Sequence, residues 1–123
     1  MMVGRLEPGR IISARVKDHS GHEKRRPAVV MTPVSDIASG RPVFAFAVST
    51  KFSHPLPPNQ VFLPADPNGI QGTLLEKDCV IVCDWNVLVN QEDVLKVFGR
   101  VPANQLRIIA HFFRHLGTSG DGS

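Results

Sequence analysis

Hydrophobic and polar residues alternate along several stretches of the chain, which predicts a protein built mainly of β-strands. Residues 10–16 alternate, with Ile12, Ala14 and Val16 on one face, so they are expected to form a strand. In residues 43–49 bulky side chains alternate with small ones, as in a central strand with one bulky and one tight side. Short apolar runs predict four more strands, over residues 27–32, 60–63, 78–84 and 94–101. Gly99 in the last run predicts a bulge or a close approach of another chain segment.

Polar stretches between these runs predict loops. Residues 17–25 are polar and contain the turn signal Ser20-Gly21. Residues 35–41 form a second predicted loop. Residues 51–59 hold three prolines, which exclude a central strand and predict an extended surface loop.

The end of the chain carries a helical pattern. Pro102 suits a first helical position and Gly117 a C-terminal stop, so a helix is predicted over residues 103–116. The apolar residues that share its predicted buried face are Leu106, Ile109, Ala110, Phe113 and Leu116, and Ile108 and Phe112 widen that stripe. Residues 118–123 are rich in Gly and Ser and predict a flexible tail.

Several short strands followed by one helix predict a compact, strongly bent sheet or a small barrel, in one domain spanning residues 1–117. The 123 residues, 42% of them hydrophobic, are enough to bury a core without a disulfide or a structural metal. The first ten residues contain no apolar run, and the apolar stretch 43–48 is far too short to span a bilayer. A cytoplasmic protein without a membrane anchor is therefore expected.

Cys79 and Cys83 are the two cysteines of the chain. On one strand they would lie on the same face about 13 Å apart, which is too far for a disulfide. Without a fitting histidine partner they make no zinc site. We interpret them as reduced core thiols of a cytosolic protein.

Positive charge is concentrated near the N-terminus of the chain. The net charge is +3 and the pI about 9.2, a mild excess of positive charge. Five basic residues fall within twelve positions: Arg15, Lys17, Lys24, Arg25 and Arg26. A local basic patch is the usual footprint of a phosphate-binding face, although a solvated loop of charges fits the same pattern.

Arg26 stands out within this patch because a loop dense in ionisable groups runs at that point directly into an apolar strand. We expect Arg26 at the mouth of the strand, at the rim of the core. Pro27 favours an extended backbone for the residue before it. A guanidinium is also the side chain best suited to bidentate contact with phosphate oxygens.

Two hydroxyls, Ser49 and Thr50, end the strand 43–49 just before Lys51. If this strand neighbours the one that follows Arg26, then Ser49 and Arg26 share one cleft. The alternative is that Arg26 pairs with Glu23 and that Ser49 caps a turn.

The segment Gly-x-Glu-Lys-Arg-Arg-Pro-Ala-Val-Val, residues 21–30, resembles the signature of the MazF/PemK family of toxin-antitoxin ribonucleases. Other segments resemble successive parts of that family, namely Gly9-Arg10-Ile11-Ile12, Ala47-Val48-Ser49-Thr50, Pro58-Asn59-Gln60-Val61-Phe62-Leu63 and Gly99-Arg100-Val101 with the helix after Pro102. The resemblance covers roughly residues 8 to 117. It implies an SH3-like barrel of the CcdB/MazF type with a C-terminal helix, and metal-independent cleavage of single-stranded RNA.

The resemblance also implies a set of site residues. The family's active-site arginine falls on Arg26, its active-site hydroxyl on Ser49 with Thr50 as the rival register, and its first-loop glutamate on Glu23. Residues that we expect to contact the RNA are Thr50, Lys24, Arg25, Lys51, His22 and His54. No metal or other cofactor is expected.

Metal-free RNA cleavage uses the 2′-hydroxyl of the substrate as the nucleophile. The protein must accept its proton, stabilise the extra negative charge on phosphorus and protonate the leaving 5′-oxygen. Arg26 is suited to stabilising the negative charge on phosphorus because its guanidinium stays protonated. Ser49 would donate a hydrogen bond to a phosphoryl oxygen. The proton acceptor stays open among Glu23, His22 and His19.

The expected partners are RNA, a cognate antitoxin through which any DNA contact would be made, and a second copy of the chain. A homodimer is also predicted from the helix stripe, which Ile108 and Phe112 widen beyond what one barrel end needs. The rival functions are a gyrase-targeting toxin like the CcdB toxins and a non-catalytic barrel of the same fold.

Overall fold

The computed structural model describes the backbone of residues 6–17 and 20–121 and the side chains of residues 6–16 and 20–115. These residues form six strands, two α-helices and a short 3₁₀ helix. In chain order they are β1 Arg10–Lys17, β2 Glu23–Val30, α1 Val34–Ala38, β3 Val43–Ser49, β4 Gln60–Leu63, β5 Cys79–Val89, the 3₁₀ helix Gln91–Asp93, β6 Val94–Arg100 and α2 Ala103–Asp121. The expected fold class, mainly β with a C-terminal helix, is confirmed.

The strands form one antiparallel sheet in the order β4-β5-β3-β2-β1-β6. β1 and β5 approach within 8 Å between Cα atoms. In a flat sheet about three strand spacings of roughly 4.8 Å would separate them, so the sheet is strongly curled. Within the described residues no ladder joins β4 to β6, and the sheet is therefore open rather than a closed barrel.

The strand alternation divides the core between the two faces of the sheet. Ile11 lies in a cluster with residues such as Phe46 and Ile81, against which α2 packs. Its neighbour Ile12 points the other way, into a second cluster with residues such as Val30. Successive side chains of a strand point to opposite faces, so a central strand buries apolar side chains on both.

Helix α2 covers the first cluster through four residues of its predicted stripe, Leu106, Ile109, Phe112 and Phe113. Ile109 is fully buried, and the ring of Phe113 lies 5.3 Å from that of Phe44, between centroids. Ile108 is 48% exposed and does not take part in this packing. The predicted stop at Gly117 is wrong, because α2 continues to Asp121. A glycine inside a helix costs about 1 kcal/mol relative to alanine but does not by itself end the helix. No helix in the described part of the chain is both long and apolar enough to cross a bilayer.

The predicted loop 17–25 is largely part of a hairpin. β1 extends to Lys17 and β2 begins at Glu23, with Arg15 paired to Arg25 and Val16 to Lys24. Lys24 and Arg25 are therefore strand residues and not loop residues. The ladder satisfies backbone groups whatever the side chains are, so a hairpin that projects beyond the core can be polar on both faces.

Two further sequence predictions need correction. Residues 34–38 form the short helix α1, where a loop was expected. The side-chain amide of Gln91 anchors this region by donating to the carbonyl oxygens of Ile37 and Arg41, each at 2.9 Å. Strand β5 runs on to Val89, five residues past its predicted end, because its pairing with β3 resumes after an irregularity.

The two cysteines are free and buried. Burial, with a smaller contribution from the charge of Asp84, raises the pKa of the Cys83 thiol to about 12. Burial likewise raises the pKa of Cys79. Both thiols are therefore protonated at neutral pH, as expected of core thiols.

The loop after β4 is organised around one buried carboxylate. Asp66 is 5% exposed and accepts hydrogen bonds from the backbone N–H groups of Gln71 at 3.0 Å and Thr73 at 2.9 Å. The N–H of Leu74 and the hydroxyl of Thr73 donate to it at 3.3 Å. The Gln71 N–H above all, opposed by burial and helped by the other donors, holds the pKa of Asp66 below its usual value.

This carboxylate makes a testable contribution to stability. Because its folded-state pKa is lowered, Asp66 stabilises the fold above its unfolded-state pKa of about 3.9, and the contribution is lost as the pH falls through the folded value. We expect Asp66→Asn to be less stable than the wild type at pH 7, with the gap narrowing below about pH 4. Urea unfolding at pH 7, 5 and 3 measures the gap, and a gap independent of pH would contradict the assignment.

The same loop lies across β6 at Gly99. The N–H of Arg100 donates to the carbonyl oxygen of Gly72 at 2.9 Å, and a Cβ built on Gly99 would lie 2.0 Å from the carbonyl oxygen of Thr73. The close approach predicted at Gly99 is confirmed.

Candidate active site

Arg26 lies within strand β2, where β2 has lost one of its two neighbours. The ladder between β2 and β3 covers Ala28 to Val30, whereas the ladder with β1 continues and pairs Arg26 with Ala14. The expectation that Arg26 stands at the mouth of the strand is therefore wrong, since three strand residues precede it. It does lie at the rim of the core, half-buried beside the fully buried run that begins at Ala28.

Pro27 marks the point at which the β3 partner is lost. Proline has no N–H to donate and is confined to edge positions of a sheet, which is what β2 becomes here. The Arg26-Pro27 step thus places Arg26, the partly buried basic residue of β2, where β3 no longer pairs with this strand.

Arg26 faces a cleft of about 990 Å³ between the β1–β2 hairpin and the second half of β5. The cleft is lined by Arg15, Val16, Glu23, Arg26, Trp85, Asn86, Val87, Leu88, Val89, Asn90 and Asp93. Arg26 and Glu23, two of the three predicted catalytic residues, thus line one cleft. The alternative that they form an ion pair does not hold, because no such pair joins these two described side chains.

The side chain that Arg26 contacts is Trp85. The guanidinium carbon lies 5.1 Å from the centre of the indole ring, a cation–π distance. Trp85 occupies an irregularity of β5, where Val82 pairs with Ala47 but the next pair along β3 joins Phe46 to Asn86. Sequence periodicity shows no such bulge, so the contact could not be predicted from spacing.

Ser49 and Arg26 do not line the same cleft. The hydroxyl of Ser49 accepts a hydrogen bond from the N–H of Lys51 at 3.0 Å and donates to its carbonyl oxygen at 3.2 Å, which is a local turn. Continuing the β2–β3 register two residues beyond the Ala28–Ala47 pair would set Arg26 opposite Ser49. The ladder ends before that point. By alternation the two residues lie on the same face of the sheet, but they do not line the same cleft.

Thr50 lines a second cleft, of about 570 Å³, on the other side of β2. Its walls include Pro27, Cys79, Lys96 and Phe98. Because Arg26 and Pro27 are consecutive strand residues, their side chains point to opposite faces. Thr50 and Arg26 therefore open to different clefts.

The other predicted contact residues are exposed and line neither of these two clefts. His22, Lys24 and Arg25 lie on the hairpin, and Lys51 lies in the loop after β3. In the same loop the ring of His54 packs against those of Phe52 and Phe62, with centroids 5.8 and 6.1 Å away. His19 lies outside the described residues. Across residues 6–17 and 20–121 no three His, Cys, Asp or Glu side chains are grouped closely enough to hold a metal ion.

Comparison with known proteins decides the family. The model of the PemK-like, MazF-like toxins of type II toxin-antitoxin systems matches residues 7–116, which is most of the chain. The chain belongs to this family. No curated protein matches it.

Solved structures of MazF proteins share the fold. The Mycobacterium tuberculosis toxin MazF-mt6 is 18% identical with a TM-score of 0.65, covering 86% of this chain and 93% of that one. A MazE–MazF structure from Deinococcus radiodurans is 21% identical with a TM-score of 0.66, covering 91% and 96%. An endoribonuclease from a mycobacterial species is 14% identical with a TM-score of 0.64, covering 95% and 96%. The predicted MazF/PemK resemblance is confirmed at the level of family and fold.

Proposed function

We propose that this MazF-like toxin is an endoribonuclease that cleaves single-stranded RNA without a metal ion, with Arg26 at the centre of its site. Family membership supports the toxin role, and one protein of the same fold is an endoribonuclease. The cognate antitoxin is the expected protein partner, any DNA contact being made through it, and the cytoplasm the expected location.

One observation carries the assignment of Arg26. Arg26 is half-buried at the wall of a large open cleft, and among the described side chains it forms no ion pair. A buried or half-buried arginine whose role is structural is normally paired with a carboxylate. An unneutralised guanidinium facing a cleft is instead available to an anion such as a phosphodiester.

In the proposed reaction the nucleophile and the leaving group both belong to the RNA, and the protein transfers protons and stabilises charge. The 2′-oxygen attacks phosphorus and the bond from phosphorus to the 5′-oxygen breaks, which leaves a 2′,3′-cyclic phosphate and a 5′-hydroxyl. Arg26 stabilises the charge that develops on the phosphoryl oxygens. Glu23 lines the same cleft and is the proposed proton acceptor, whereas His22, on the same hairpin, does not line it.

Incubating the purified protein with a long single-stranded RNA in the presence of a chelator tests this function. Cleavage with cyclic phosphate ends is expected. An intact RNA would favour a non-catalytic module, and inhibition of gyrase by the same preparation would favour the CcdB-like alternative.

Ser49→Ala is expected to lower the cleavage rate by about two- to tenfold, much less than Arg26→Ala, because a neutral hydrogen bond contributes less than a charged fork. The turn with Lys51 already engages the Ser49 hydroxyl, so it must reorient to reach a phosphate. Single-turnover rates of Ser49→Ala and Thr50→Ala, measured side by side, check this. A large loss in Thr50→Ala with none in Ser49→Ala would move the active hydroxyl to the second cleft.

Arg25→Gln is expected to weaken RNA binding while stabilising the fold. Arg15 and Arg25 are directly paired across the hairpin and exposed, so their like charges repel by roughly 0.2–1 kcal/mol. Loss of one phosphate contact should also reduce the slope of log affinity against log salt by about 1. Thermal unfolding and binding titrations at several salt concentrations measure both effects. If the variant binds RNA as tightly as the wild type, Arg25 does not belong to the surface that contacts RNA.

A homodimer also remains a proposal. Ile108 on α2 supports it, since the residue is 48% exposed and belongs to neither hydrophobic cluster. Sedimentation at micromolar concentration distinguishes a dimer from a monomer.

A further inference from the structure

We propose that Trp85 is a positioning residue that holds the Arg26 guanidinium ready for the scissile phosphate. This inference rests on the proposed ribonuclease function and extends it by one residue. The observation behind it is the 5.1 Å separation between the guanidinium carbon and the indole centre, which lies within the roughly 6 Å range of cation–π attraction.

The backbone around Trp85 is shaped to present the ring. β5 leaves its regular pairing with β3 after Val82 and resumes it at Asn86, so Trp85 stands in a bulge. The N–H of Cys83 still donates to the carbonyl oxygen of Asn59 at 2.9 Å, which anchors the start of the bulge to the chain segment before β4. Bulges re-aim side chains, and this one points an aromatic ring into the Arg26 cleft.

Trp85 is not a core residue. It is 38% exposed and belongs to neither of the two hydrophobic clusters. The ring packs in neither cluster, and it contacts the Arg26 guanidinium.

An aromatic ring suits this role better than a carboxylate. An arginine side chain has many rotamers, and an unpaired one samples them. An acidic partner would hold the guanidinium but would also neutralise the charge that the phosphate needs. The face of an indole holds a cation through its quadrupole and leaves the charge in place. Among the described side chains Arg26 has no ion pair that would do the same work.

The test compares Trp85→Leu and Trp85→Phe with the wild type. Single-turnover cleavage at saturating protein should fall by about five- to thirtyfold in Trp85→Leu, the loss expected for one partly desolvated cation–π contact. Trp85→Phe should recover part of that loss, because phenylalanine keeps an aromatic face. The dissociation constant for the same RNA strand carrying 2′-O-methyl groups, which cannot react, should change by less than about twofold.

A double-mutant cycle identifies Arg26 as the residue through which Trp85 acts. In the Arg26→Ala background, Trp85→Leu should have almost no further effect on the rate. Ile70→Ala is the matched control for loss of an exposed apolar side chain, since Ile70 is 83% exposed on the loop after β4. It should cleave like the wild type.

The failures of the two proposals are distinguishable. A folded wild type that does not cleave RNA overturns the ribonuclease function, and the positioning role with it. A wild type that cleaves, with Trp85→Leu equally active, overturns the positioning role alone. A Trp85→Leu variant whose defect lies entirely in the dissociation constant, or persists fully in the Arg26→Ala background, shows that the ring binds a base instead and also overturns the inference.

Discussion

Arg26→Ala is expected to lose RNA cleavage by roughly two to three orders of magnitude, the usual cost of removing a group that stabilises charge in the transition state. Arg26 is half-buried, its guanidinium contacts Trp85 in the cleft, and the other arginine of β2, Arg25, is exposed. The fold should survive, because Arg26 makes no ion pair among the described side chains and lies at the rim of the core. Gel assays on a long RNA, with thermal unfolding of the same preparations, measure both quantities.

Arg26→Lys is the matched control for this prediction. It keeps the charge but loses the planar fork, so it should restore activity only in part. Cleavage by the wild type should also persist in chelator and leave 2′,3′-cyclic phosphate and 5′-hydroxyl ends, since the nucleophile belongs to the RNA. Full activity in Arg26→Ala would refute the site, and metal-dependent cleavage that leaves 5′-phosphates would refute the mechanism.

Gly99→Ala is expected to have the largest effect on stability, about 3 kcal/mol or more of lost unfolding free energy, at the upper end of overpacking substitutions. A Cβ at this position would lie 2.0 Å from the carbonyl oxygen and 2.6 Å from the carbonyl carbon of Thr73. Both are backbone atoms of the loop that Asp66 holds in place, so a rotamer change cannot relieve the clash. Urea unfolding measures the loss.

Gly40→Ala separates this clash from the general effect of replacing a glycine. Gly40 has a φ of +83°, which disfavours a side chain, but a Cβ there meets nothing within 4 Å. We expect a cost of about 1 kcal/mol for the backbone strain alone. If Gly99→Ala were no worse than Gly40→Ala, the loop would not be packed against β6 as described.

The sequence by itself determined the class of fold and the family. The local pattern of apolar and polar residues reflects which side chains must be buried. It therefore located all six strands, and the predicted limits of β3 and β4 agree with the structure. The Arg-Arg-Pro-Ala-Val-Val run indicated the toxin family that the family model confirms over residues 7–116. The same run also indicated Arg26 as a site residue. The change from charged to apolar residues marks the rim of the core, whether or not the strand begins at that point.

The tertiary structure alone decided how far the strands extend and which side chains meet. Backbone pairing is indifferent to side-chain polarity, so the charged half of β2 joins the sheet although its composition predicts a loop, and the far half of β5 resumes pairing after a bulge that no local pattern marks. Arg26 on β2 meets Trp85 on β5 because the sheet is curled and because β5 contains a bulge. Neither the curl nor the bulge is marked by a local pattern in the sequence. The same geometry separates the predicted hydroxyls from Arg26: the ladder between β2 and β3 ends at Ala28, and the two faces of β2 open to different clefts.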